Sequence, residues 1–151
     1  MAGDPPARMS EQPDPEHVRP ETASDAAVEA AGKMSEALET LERARGHLYS
    51  FHQLIGETDF KLDEVLELLD ECAEEALAER VRADLLGRNV VPGHWTFQLV
   101  EAFDDTYWEV FRAHERAVRD ALMEGRRHVY ESELKERRRT HGKPGHESRP
   151  G

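Results

Sequence analysis

Apolar residues in this chain recur every three or four positions and nowhere alternate, a pattern that makes helices and gives no material for a sheet. Ala37, Leu41, Ala44, Leu48, Phe51 and Ile55 fall on one helical stripe. Leu62, Val65, Leu66, Leu69, Ala73, Ala76, Leu77 and Leu85 form a second, and Val100, Phe103, Tyr107, Phe111, Val118 and Ala121 a third. Gly56, Gly87 and the Pro92-Gly93 pair punctuate these runs. The expected fold is all-α: an antiparallel three-helix bundle, or a four-helix one if the second helix breaks near Glu74-Glu75, where its pattern weakens.

The pattern also sets expected limits. Ser35 can cap free backbone N–H groups, and Glu36 and Glu39 suit the positive first turn, so the first helix is expected from Ser35 to Ile55. Residues 1–33 hold five of the eight prolines and no apolar period, and read as a disordered N-terminal segment. The alternative is an over-long start ahead of Met9 or Met34. The bundle is expected over 34–125, an exposed basic helical extension over 126–140, and a disordered tail over 141–151, where Gly142, Lys143, Pro144 and Gly145 end the helix.

Charge narrows the functional classes. The net charge is −12, and residues 1–79 alone hold six Lys/Arg against twenty Asp/Glu. An acidic body repels phosphate backbones, so nucleic acid is disfavoured as a partner. Only the tail around Lys135, Arg137, Arg138 and Arg139 escapes that argument, and no aromatic is interleaved there for stacking on bases. No apolar run approaches the ~18 residues of a membrane span. The lone cysteine, Cys72, excludes a disulfide framework and fits a reducing cytoplasm. Its place in a helical run reads as an inert core thiol.

The segment from Arg88 to Gln98 is the expected functional end. It sets His94, Trp95 and Phe97 on a Pro-Gly turn between helices, where connections are usually polar. The other candidates lie on helix faces. Arg45 and His52 flank the first stripe, while Asp104, Tyr107 and His114 sit on or beside the third. With Arg88, His94 and Trp95 they make the candidate ligand-binding set. The ordinary reading is that each polar member is satisfied at the edge of a core, and an Arg45–Asp104 pair is one such expectation. Neither Glu-x-x-His nor His-Glu-x-x-His occurs, since Val118 stands where the second histidine would follow His114-Glu115. No metal, catalytic group or cofactor is therefore assigned.

Arg45-Gly46-His47-Leu48-Tyr49-Ser50-Phe51-His52, the span from Gly87 to Trp108, and Gly125-Arg126-Arg127-His128-Val129-Tyr130-Glu131 resemble small uncharacterised helical proteins of GC-rich Gram-positive bacteria. The resemblance covers residues 35–146 and carries no activity with it. The first expectation is a cytoplasmic helical bundle that acts through protein–protein interaction or self-association. The second is a ligand- or metal-binding bundle, with an enzymatic role open, using an inter-helix pocket.

Overall fold

A computed structural model describes residues 11–149; residues 1–10 and 150–151, which carry the ends of both expected tails, lie outside the described part. After a 3-10 turn at Pro15–His17 come α1, Asp25–Glu71, and α2, Glu75–Asp84. α3 runs Thr96–Phe103, passes through a π-helical turn at Asp104–Trp108 and continues as Glu109–Met123; α4 is Val129–Arg138. Among the described residues there is no strand. The chain is an all-α bundle protein.

α1 departs from the sequence expectation at both ends. It starts at Asp25, where the Ser24 hydroxyl accepts the Ala27 N–H at 3.1 Å. Ser24 thus does the capping assigned to Ser35. The segment expected as a free tail supplies buried Val28 and Ala31. Gly56 does not stop the helix, because the inward row Leu48, His52, Ile55, Asp59, Leu62 and Leu66 keeps its three-four spacing straight across it. A glycine inside a helix costs only ~1 kcal/mol, which continued packing offsets. The break comes instead at Ala73, with φ +62°, beside the expected Glu74-Glu75. Cys72 falls in this break and is exposed, so it is not the core thiol its helical position suggested.

The chain divides into two compact units, Leu41–Glu109 and the flanking described residues 11–40 and 110–149. The flanking unit closes on Val28, Ala31, Met123 and Val129, with Val118, Leu122 and Tyr130 packed around them. Gly32 permits the close approach of α1 to α4: a Cβ there would lie 2.7 Å from Tyr130 Cβ. Residues 126–140, expected as an exposed extension, instead bury Val129 and Arg139. Arg139 bonds Glu136 at 2.7 Å and Glu11 at 2.8 Å, and holds both carboxyls below their usual range. Arg19 grips Glu133 with two bonds, 2.6 and 2.8 Å, and reaches Asp25 at 2.7 Å.

In the Leu41–Glu109 unit, α1 and α3 run antiparallel: Glu42 meets Trp108, Arg45 meets Asp104 and His52 meets Thr96. Arg82 of α2 returns to Asp70 at 2.6 Å. The apolar residues buried here are Leu66, Ala78 and Val100.

Candidate functional site

The turn before α3 is set by its own residues. Pro92 and Gly93, the latter at φ +79°, occupy the middle of a tight turn that His94 N–H closes onto the Val91 carbonyl at 3.1 Å. Trp95 N–H then donates to Gln98 Oε1 at 2.8 Å, which satisfies one free N–H at the start of α3. Trp95 is 61% exposed, its ring 5.0 Å from Phe97. It is not folded over a core.

Four of the sequence candidates, His52, Arg88, His94 and Trp95, line one cleft of about 580 Å³ within this unit. Ile55, Leu62, Leu85 and Val90 supply apolar wall. His52 Nδ1 and Thr96 Oγ1 share a hydrogen bond of 2.6 Å, which holds the ring at the wall, half-buried rather than enclosed. Asp59 is committed, accepting the Gly87 N–H at 2.9 Å. Arg88 donates to the Asp84 carbonyl at 3.2 Å and has no carboxylate partner among the described residues.

Arg45 and Asp104 belong to a second cluster in the same unit. Arg45 Nε and Nη2 donate to the two Asp104 oxygens at 2.8 and 3.0 Å, and the Tyr49 hydroxyl donates to Asp104 at 3.2 Å. The guanidinium lies 3.8 Å from the Trp108 ring centre, and Trp108 Nε1 donates to Glu42 at 2.8 Å. The Arg45 charge and the Tyr49 hydroxyl hold the Asp104 carboxyl below its usual range. Asp104 faces inward and Asp105 is exposed. These bonds link Glu42, Arg45 and Tyr49 of α1 to Asp104 and Trp108 of the π turn, so the cluster works as a clamp between α1 and α3.

Tyr107 and His114 are not where the sequence period puts them. Tyr107 is exposed and Trp108 takes the inward place; His114 is exposed and Glu115 is buried. The cause is the π turn. Glu109 N–H reaches back five residues to the Asp104 carbonyl, so the turn holds one residue more than an α turn. The inward place passes from Tyr107 to Trp108 and from His114 to Glu115, while Phe111 and Val118 of the expected stripe stay half-buried. His114 lies in the flanking unit, where neighbouring Glu115 pairs with Arg119 at 3.1 Å and accepts from Ser35. Among the described residues no three His, Cys, Asp or Glu side chains converge to hold a metal ion.

The feature that periodicity alone missed is the amount of apolar surface left open. Phe51, Leu54, Phe60, Val65, Leu68, Leu77, Leu85, Leu86, Val90, Trp95, Phe97 and the Tyr49 and Tyr107 rings are exposed in the Leu41–Glu109 unit. The flanking unit exposes Val18, Val110 and Leu134. A groove there is lined by Pro13, Pro15 and Pro20 and by Arg19 and Arg126, the first held by Glu133 and the second by the Val18 carbonyl. The signal was present in the sequence as more apolar residues on α1 than one stripe requires. No described helix is long and apolar enough to cross a membrane. No family model, curated protein or solved structure matches the chain.

Proposed function

We propose that this protein acts in the cytoplasm by binding another protein chain, a separate partner or a second copy, through the open apolar face of its Leu41–Glu109 unit. The observation that carries this is the concentration of exposed large apolar side chains on that unit against their scarcity on the other. Contiguous apolar patches on a soluble surface mark places that another surface covers. Trp95 and Phe97, with their rings tilted 56° to one another beside the Pro-Gly turn, have the character of interface anchors. A photocrosslinking residue placed at Leu54 or Trp95 is expected to capture protein adducts of discrete mass in the source cells, while one at Leu134 captures none. Absence of adducts from both first positions overturns the proposal.

A second reading has its own observation, the cleft that gathers His52, Arg88, His94 and Trp95. A guanidinium bonded to one backbone carbonyl, with no carboxylate partner among the described residues, suits beside this apolar wall a small molecule with a carboxylate on an apolar body. Arg88→Gln would then lose binding of such a compound while leaving capture at Leu54 intact.

A further inference from the structure

Phe51, Leu54, Val65 and Leu68 are exposed on α1 at the alternating three- and four-residue steps of a heptad, and Thr58 and Lys61 fill the two places between them. Thr58 turns its hydroxyl to the Leu54 carbonyl, 2.7 Å away, and so places no unsatisfied donor on the stripe. The Lys61 stem continues the stripe while its ammonium can reach water. This row is separate from the inward one; Phe51 and His52, or Leu54 and Ile55, are neighbours about 100° apart. One edge of the exposed row is bounded by Glu57, Glu64 and Glu71, one every seven residues. Ten acidic residues and one lysine occupy the span from Glu57 to Glu79.

We propose that this stripe docks a basic amphipathic helix of a different protein. The inference rests on the docking function above and names its partner. A heptad row matches the side-chain period of a helix and not that of a strand, so the occupant is helical. From Phe51 to Leu68 the row is about 25 Å long, which takes a partner segment of about eighteen residues. The glutamates beside it select lysine and arginine at the facing edge of that segment. They also select against a second copy, because two such faces together would set one dense acidic surface on another.

The probe is a fluorescein-labelled eighteen-residue peptide with leucines in heptad register and lysines elsewhere. It is titrated into the full chain beside two controls, one of the same composition with leucines dispersed around the helix and one with glutamate for lysine. The basic heptad peptide binds, and both controls bind at least tenfold more weakly. Leu54→Ser/Leu68→Ser weakens binding at least tenfold with unchanged circular dichroism. Glu57→Gln/Glu64→Gln/Glu71→Gln weakens it and flattens its salt dependence. Equal binding of either control overturns the proposal. So does a chain that sediments alone as a dimer and reverts to a monomer with Leu54→Ser/Leu68→Ser, since a second copy then covers the stripe. Captured adducts at Leu54 together with a failed peptide series leave the docking function standing and remove this partner. Loss of both removes both.

Discussion

In the flanking unit, Val28, Ala31, Met123 and Val129 close on one another, and Arg19, Arg119 and Arg139 are all engaged by carboxylates. In the Leu41–Glu109 unit, buried Leu66, Ala78 and Val100 stand against a much longer roll of exposed leucines and aromatics. Both units draw on the same helix, α1, and on the same amphipathic chemistry. The difference lies in how many faces of the helix are apolar. Up to Thr40 one face suffices and is covered. Beyond it a second heptad row appears at about 100° to the first, and no described element covers it. A second apolar row does nothing for the unit's own core, which is the physical reason to assign it to a partner.

That contrast can be broken by substitution. Met123→Ala carries the largest expected loss, about 2–5 kcal/mol in denaturant unfolding, because the side chain is 1% exposed and leaves a cavity. A loss below ~1 kcal/mol would mean that the flanking unit is not closed. Gly32→Ala comes next, at about 1–3 kcal/mol, since the new Cβ meets Tyr130 at its own Cβ and cannot be relieved by a rotamer change. Neutral behaviour would show that α1 and α4 are not in close approach.

Asp104→Asn tests the clamp of the open unit. It should cost roughly 1 kcal/mol at neutral pH, a modest figure because the pair is partly solvated. The sign of its pH dependence follows from the lowered carboxyl. The contribution is present above the ordinary aspartate value of 3.8 and is lost as pH falls through the lower folded value. Acid unfolding of the parent should therefore steepen below that value relative to Asp104→Asn, and parallel curves would contradict the clamp. Trp95→Ala is expected to be smallest, within ~0.5 kcal/mol, as for an exposed side chain. A cost of several kcal/mol would place the ring in a core.

Much of this was legible from residue spacing. The all-helical class, the break beside Glu74, the helix start after Pro92-Gly93 and the Arg45–Asp104 pair all follow from three-four periodicity and turn chemistry. Three features were not. Ser24 offered the same capping chemistry as Ser35, but prolines ahead of it and a thin apolar row of Val28 and Ala31 hid the first ten residues of α1. The π turn at Asp104–Trp108 leaves no composition signal, yet it moved Tyr107 and His114 outward. Gly56 looked like a stop because its cost is visible locally, while the packing that offsets it is spread over four turns. Of the candidate ligand set, His52, Arg88, His94 and Trp95 were brought together, Arg45 and Asp104 were joined in a second cluster, and Tyr107 and His114 are exposed.

The most direct test of the central claim is the thermal unfolding midpoint of Leu54→Ser/Leu68→Ser in the otherwise intact chain. If the second row on α1 serves a partner and not the protein's own core, the midpoint stays within about a degree or two of the parent, as expected for solvent-facing positions. A fall comparable to that of Met123→Ala would show that the row is buried in the folded protein, and would contradict the account.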